Sequence, residues 1–248
     1  MKLLLIGAGN MGGAMLQGLH TREITVVESS KTRAEALQAL YPSIKITQTI
    51  PSLEGFVVIL AIKPQSFDTL HTKGKAVAVI SIMAGVTLES LKKGIDAKQY
   101  IRAMPNMAAL VGKSATSLCG DESFKQEALE VLSSIGKCFW LESEKELDIA
   151  MGVAGCAPAW VALVAEALSD GAVNLGLKRE KTYPLIAALF EGMGEVLQHE
   201  HPALLKDKVM SPAGTTAAGY AKLEEGKVRD SFIKAMKASY KKAKELGN

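Results

Sequence analysis

Residues 2–13, KLLLIGAGNMGG from Lys2 to Gly13, decide the fold. The apolar run from Leu3 to Ile6 meets a glycine-rich turn, and Ala14, Met15 and Leu16 then resume at helical spacing. That order predicts strand, tight turn and helix. Gly7 permits the sharp turn, Gly9 lets backbone approach a pyrophosphate closely, and Gly12 lets the helix pack on the strand. Free N–H groups at the helix start attract the anion. A second strand over 24–27 ends in Glu28, the acidic position that contacts a dinucleotide's ribose. The chemistry implied is dinucleotide binding, since a merely glycine-rich surface turn leaves the apolar strand and Glu28 unexplained.

Working outward, 10–20 and 31–40 read as helices, the second with Ala34, Leu37 and Leu40 on one face, and 24–27 and 44–46 read as strands. Segment 56–62 is a continuous apolar run that stops at Lys63-Pro64, and 76–82 repeats the pattern up to Ala84-Gly85. Strands alternating with helices predict an α/β fold built on a parallel, doubly wound sheet. Ligand loops then gather at the carboxyl ends of the strands, here 7–12, 28–31, 61–65, 81–86 and 103–109. A helix over 122–134 and a strand over 137–141 complete the sheet. Beyond it, 144–175 is rich in alanine and glycine without strand-like alternation. With 185–197 and with 232–246, which sets Phe232, Met236, Tyr240 and Ala243 on one stripe, it makes the second half all helix. The predicted domains are 1–143, dinucleotide-binding, and 144–248, helical.

With 248 residues and 48% hydrophobic content the chain has ample material for a core, and a dispersed net charge of +3 argues against nucleic acid. Cys119, Cys138 and Cys156 are widely spaced, which points to three core thiols rather than a disulfide framework or a zinc site. The amino-terminal apolar run is short and leads directly into the glycine turn, so it reads as a strand rather than a signal peptide. No transmembrane-length run is expected, and the expected setting is cytoplasmic, with small-molecule partners and neither membrane nor nucleic acid. The small apolar helical faces suit burial against a twin, which predicts a homodimer or a higher assembly of dimers.

A second motif lies at 206–216, KDKVMSPAGTT. Ser211 is read as a helix N-cap and Pro212 as the first helical residue, where its missing N–H costs nothing. Ala213 and Gly214 add little bulk, so the N–H groups of Gly214, Thr215 and Thr216 would face a hollow suited to a carboxylate. The only arginines after residue 143 are Arg179 and Arg229, neither beside this motif in the sequence. His199-Glu200-His201 makes a poor metal site, because residues two apart do not share a helix face and no third ligand lies nearby. No metal is expected.

SPAGTT at 211–216, AIKPQ at 61–65, SIMAGV at 81–86 and RAMPNM at 102–107 together resemble pyrroline-5-carboxylate reductase, and the resemblance spans essentially the whole chain. It implies a Rossmann-type domain followed by an all-α dimerisation domain, and a hydride passed from NADPH or NADH to the ring C=N of 1-pyrroline-5-carboxylate to give L-proline, the last step of proline biosynthesis. The cofactor contacts it implies are Ile6, Gly7, Ala8, Gly9, Asn10, Met11 and Gly12 at the pyrophosphate. Ala61, Ile62, Lys63 and Pro64 would lie beneath the dinucleotide, and the 104–106 loop with Asn106 near the nicotinamide. Ser211, Gly214, Thr215 and Thr216 correspond to the substrate pocket, with Glu200 a more distant member. Two departures stand out: Gly155-Cys156-Ala157-Pro158-Ala159-Trp160 where GSGPAY is common, and Ala213 where SPGGT has glycine.

Reduction of a protonated cyclic imine requires an oriented donor, a fixed carboxylate and exclusion of water, with no metal or nucleophile. Thr216 is placed to hydrogen-bond the ring nitrogen as a polarising group, the alternative being a structural hydroxyl. Glu28 favours NADH by repelling a 2′-phosphate. Ser29, Ser30, Lys31 and Arg33 would instead cradle that phosphate if Glu28 turned away. Two other readings stay open: a β-hydroxyacid dehydrogenase-like oxidoreductase, which needs a lysine that 151–164 does not contain, and a non-catalytic NAD(H)-binding redox sensor.

Overall fold

A computed structural model of the chain describes residues 1–246. The backbone forms two compact units, one made of 1–156 and 238–246, the other of 157–237.

The first unit is built on an eight-stranded sheet of order β3-β2-β1-β4-β5-β6-β7-β8. Its strands are β1 (Lys2–Ile6), β2 (Ile24–Val27), β3 (Lys45–Thr47), β4 (Phe56–Leu60), β5 (Ala78–Ser81), β6 (Tyr100–Met104), β7 (Ser114–Gly120) and β8 (Gly136–Trp140). Between them run α1 (Asn10–Leu19), α2 (Lys31–Leu40), α3 (Leu88–Gly94) and α4 (Lys125–Leu132). Leu3, Leu4, Leu5, Val58, Ile59 and Leu60 are sealed from solvent, as strands covered on both faces require. Register aligns Ile6 with both Val27 and Leu60, Leu60 with Ser81, and Ser81 with Arg102. The loops leaving these parallel strands therefore emerge along one edge. The chain reverses its direction of growth at β1, which lies between β2 and β4, so the crevice at that switch point lies between the loops after β1 and β4.

The sheet is not wholly parallel. β6 pairs with β7 antiparallel, and β8 then runs parallel to β7. Only residues 105–113 connect β6 to β7, carrying a 3₁₀ turn over Met107–Val111, which is too short for the crossover a parallel pair demands. On α2, Leu37 is buried but Leu40 stands 71% exposed, so the expected apolar face stops one turn early. Of the three thiols only Cys119 is fully buried, Cys138 and Cys156 being half-buried.

Past the sheet, α5 (Glu144–Met151) begins at Ser143, whose hydroxyl accepts the Glu146 N–H. It packs on β6 and β7 and so falls within the first compact unit, which runs to Cys156. A π-turn, Gly152–Cys156, joins α5 to α6 (Ala157–Asn174). The helical span Glu144–Asn174 has a mean hydropathy of 1.7 over its most apolar 18 residues, of which 11% are buried. By length and composition it is able to cross a membrane, contrary to the expectation that no such run exists.

The second unit holds α6, α7 (Arg179–Val196), α8 (Pro202–Val209), α9 (Thr215–Glu225) and the first part of α10 (Val228–Leu246). Buried Ser169 and Thr182 join α6 to α7 through a 2.5 Å hydroxyl contact. Leu163, Leu168, Leu185 and Leu189 face solvent on the same two helices.

Candidate functional site

At the amino-terminal turn, Gly7 has φ +91°, and a Cβ there would meet the Ala61 carbonyl oxygen at 2.8 Å. A Cβ on Gly12 would lie 2.1 Å from the Gly7 carbonyl oxygen, whereas one on Gly9 would have nothing within 4 Å. Gly7 and Gly12 are thus dictated by close packing, while the space over Gly9 is open. Gly9 caps α1 without a side chain, and the first helical return bond runs from the Gly13 N–H to the Gly9 carbonyl at 2.8 Å. The N–H groups of Asn10, Met11 and Gly12 precede it and have no partner within the helix. An open floor above unpaired N–H groups at a helix start fits a dinucleotide pyrophosphate.

The Ala61 N–H donates to the Ile6 carbonyl at 2.9 Å, which places the 61–64 segment against the glycine turn. Lys63 is extended and caps a 3₁₀ turn that opens with Pro64, leaving Lys63 exposed and Ile62 half-buried.

Glu28 is 8% exposed. Its Oε2 accepts the Ala8 N–H at 3.2 Å, its Oε1 accepts the Ser30 N–H at 2.9 Å, and Arg33 Nε lies 4.0 Å from Oε2. The carboxylate is folded into the glycine turn. Ser29, Ser30, Lys31 and Arg33 are exposed, with the Ser30 hydroxyl capping α2.

Along the same edge, Asn106 follows β6. Its N–H donates to Ser114 Oγ at 3.0 Å, its Oδ1 accepts the Ala108 N–H at 3.0 Å, and its Nδ2 donates to the Ala154 carbonyl at 2.9 Å. Below it, Arg102 is 3% exposed and bonds Glu144 Oε1 at 2.8 Å and Asp148 Oδ1 at 3.1 Å. Glu144 Oε1 also accepts the Leu88 N–H at 2.9 Å. Among the described residues Arg102 Nε has no partner. The pair Glu144 and Asp148 sits one helical turn apart, and a lone arginine in an apolar strand was the signal in the sequence that such partners are needed.

In the second unit, the 211–216 segment differs from its expected form. Ala213 has φ +57°, which no right-handed helix accommodates, and the Gly214 N–H turns back to the Ser211 carbonyl at 3.0 Å. The helix therefore starts at Thr215 with Gly214 as its cap, not at Pro212 with Ser211 as its cap. The Gly214 N–H is consumed in the turn. The first helical return bond is Ala218 N–H to the Gly214 carbonyl at 3.1 Å, so the N–H groups of Thr215, Thr216 and Ala217 remain without helical partners. Thr215 and Thr216 are exposed, as is Ser211.

Glu200 is held by Lys208 Nζ at 2.5 Å, a partner the motif alone did not suggest. His201 caps α8, its ring nitrogen accepting the Ala203 N–H at 3.3 Å. Lys206 lies over the Tyr220 ring at 5.2 Å, bracing α8 against α9 on either side of the turn. Both arginines of the helical half are engaged elsewhere, Arg179 with Asp170 and Ser169, Arg229 with Glu224 and Tyr220. Among the described residues, no group of three or more His, Cys, Asp or Glu side chains comes together to hold a metal ion.

Residues 2–85 match the family model described as NADP oxidoreductase, coenzyme F420-dependent, and residues 144–246 match that described as pyrroline-5-carboxylate reductase dimerisation. A pyrroline-5-carboxylate reductase from Synechocystis is 36% identical, over 99% of this chain and 98% of its own. The structure of a pyrroline-5-carboxylate reductase from Coxiella burnetii superposes with a TM-score of 0.88 at 29% identity, over 100% of this chain and 98% of its own. A Plasmodium falciparum pyrroline carboxylate reductase with NADP bound gives 0.81 at 26% identity, over 100% and 98%. Similarity that runs from end to end, through both the glycine turn and the helical half, means that the chain belongs to the pyrroline-5-carboxylate reductase family.

Proposed function

We infer that this protein reduces 1-pyrroline-5-carboxylate to L-proline with NAD(P)H. The observation that carries the reading is the end-to-end family match, in a chain that also keeps an open floor over Gly9 and unpaired N–H groups at the start of α9. When bound, the nicotinamide cofactor supplies the hydride that reduces the imine carbon.

The chain's own residues have three tasks. Asn10, Met11 and Gly12 present N–H groups to the pyrophosphate, with Ile6, Gly7, Ala8 and Gly9 forming the turn beneath and Ala61, Ile62, Lys63 and Pro64 flanking it. The N–H groups of Thr215 and Thr216, with the Ser211 hydroxyl, bind the substrate carboxylate, which supplies the negative charge that a helix start favours. The Thr216 hydroxyl hydrogen-bonds the ring nitrogen and steadies its proton, while Glu200, tied to Lys208, shapes the surroundings.

For the cofactor, the folded-in position of Glu28 supports NADPH rather than NADH. A carboxylate that accepts two backbone N–H groups and faces Arg33 offers little repulsion to a 2′-phosphate, and Ser29, Ser30, Lys31 and Arg33 stand exposed around it. A higher kcat/KM with NADH than with NADPH would overturn this assignment.

The protein works as a dimer built from its helical half. The exposed apolar side chains of α6, among them Val161, Leu163 and Leu168, are then covered by a second copy, and assemblies of dimers are compatible with that arrangement. It acts in the cytoplasm on a small molecule, without membrane or nucleic-acid partners. Sedimentation of the full chain at micromolar concentration tests the dimer, and a monomer there would refute it. Incubation of the purified protein with NADPH and pyrroline-5-carboxylate tests the reaction, with proline as the expected product.

A further inference from the structure

Pro158 lacks the N–H that an α-helix would offer to the carbonyl four residues earlier, and that carbonyl belongs to Ala154, inside the π-turn Gly152–Cys156. With no N–H at Pro158 the Ala154 oxygen lacks its α-type donor, and Asn106 Nδ2 donates to it at 2.9 Å. The rest of Asn106 is fixed as firmly. Its Oδ1 holds the Ala108 N–H and its own N–H holds Ser114 Oγ, which in turn bonds buried Thr116 at 2.9 Å. A second contact runs in parallel, because Gly155 leaves its Cβ position 3.8 Å from Met104 Cγ, so that Met104 packs against the same turn. Pro158 and Asn106 thus meet at one carbonyl, with Met104 beside the same turn.

We propose that Asn106 is a positioning residue for hydride transfer, one that hangs the 104–106 loop on the Ala154 carbonyl exposed by Pro158. The proposal rests on the reading that this loop lies at the nicotinamide. Asn106 then acts through the loop's backbone, not by spending its amide on the cofactor. The π-turn places the Ala154 carbonyl within reach of the loop. π-turns of this kind are frequent at functional sites.

The test is Asn106→Ser, whose hydroxyl still caps the Ala108 N–H but is too short to reach Ala154. The expected result is a kcat lowered about ten- to a hundredfold, the scale of a reacting group misplaced by about 1 Å. KM for pyrroline-5-carboxylate and the dissociation constant for NADPH should stay within about threefold. In the cofactor-free protein, amide exchange should accelerate across 104–111 while the amides of β1 and β4 keep their protection. Pro158→Ala gives an independent arm: restoring an N–H for Ala154 competes with Asn106, so kcat falls while thermal stability is unchanged or higher. Wild-type kcat and exchange in Asn106→Ser overturn the proposal, as does weaker NADPH binding with kcat intact. If Asn106→Ser does not fold, the same outcomes are read from Pro158→Ala alone. An active wild type with unaffected variants removes the proposal only, whereas a folded wild type without turnover removes the reductase reading and the proposal together.

Discussion

Gly214→Ala isolates the claim that the carboxylate is bound at the start of α9. A Cβ at 214 would lie 2.3 Å from Ser211 Oγ and 3.1 Å from the Ser211 carbonyl oxygen. An ordinary carbon–oxygen contact is about 3.3 Å or longer, so the hydroxyl must retreat by roughly 1 Å from the position proposed to reach the substrate. A charge-assisted hydrogen bond is worth about 1.5–3 kcal/mol, which converts to a KM for pyrroline-5-carboxylate raised from roughly tenfold to roughly 150-fold. The chain itself should tolerate the change, since the hydroxyl is the end of a small exposed side chain, the Ser211 carbonyl needs to give by only a few tenths of an ångström, and the loss of a glycine cap costs about 1 kcal/mol or less. Steady-state kinetics with each substrate varied in turn, alongside a melting curve, gives the result. KM for NADPH should move less than about twofold, because the determinants proposed for it lie at 6–12. Arg179→Gln and Arg229→Gln serve as comparators, both side chains being engaged with neighbours already. The reasoning is refuted if Gly214→Ala leaves KM within about threefold of wild type while either arginine variant raises it more than about tenfold.

Three further outcomes follow from the same structure. Arg102→Met strands Glu144 and Asp148 against a buried apolar side chain; because both carboxylates are partly exposed the cost falls at the lower end of the range for broken buried pairs, about 3 kcal/mol, or roughly 6–12 °C in Tm. A Tm within about 2 °C of wild type would show the pairs to be dispensable. Ala213→Gly relieves an alanine held at φ +57°, a gain of about 1–2 kcal/mol offset by about 0.4–1 kcal/mol of added unfolded-chain freedom, so Tm should hold or rise slightly, whereas Ala213→Val should lower it. Burial pushes the Cys119 and Cys138 thiols up to about 11. Between about pH 9 and pH 11 the unfolded chain releases thiol protons that the folded chain keeps, so stability falls as pH rises through that window, and Cys119→Ala with Cys138→Ala should flatten the fall seen in denaturant titrations.

The parts of the fold most legible in the sequence are those where one physical demand dominates. An apolar strand running into Gly7, Gly9 and Gly12 has few other uses, and the continuous apolar run at 56–60 belongs to a strand covered on both sides. β7 is hidden because Ser114, Thr116 and Ser117 are buried polar residues, the first two bonded to each other, so SATSLCG carries no hydrophobic period. The antiparallel pairing of β6 with β7 follows from the shortness of the 105–113 connection, which composition does not advertise. Ser211-Pro212 imitates a helix start because Ser-Pro is a generic N-cap pair. What moves the real start to Thr215 is the positive φ of Ala213, a conformation that alanine in a sequence does not announce. Glu28 was recognisable as the acid after β2, but its turn toward the Ala8 and Ser30 N–H groups is a matter of side-chain geometry. The same holds for Asn106 and for Glu200, whose partners at Ala154 and Lys208 become apparent only when the chain is folded.

The most direct test of the central claim is a product balance. The purified full-length protein is incubated with NADPH and pyrroline-5-carboxylate, and proline is quantified against NADPH consumed, with the imine omitted from a parallel sample. The account predicts one proline formed for each NADPH oxidised and no oxidation when the imine is absent. A folded protein that forms no proline, or that oxidises NADPH equally fast without the imine, would contradict it.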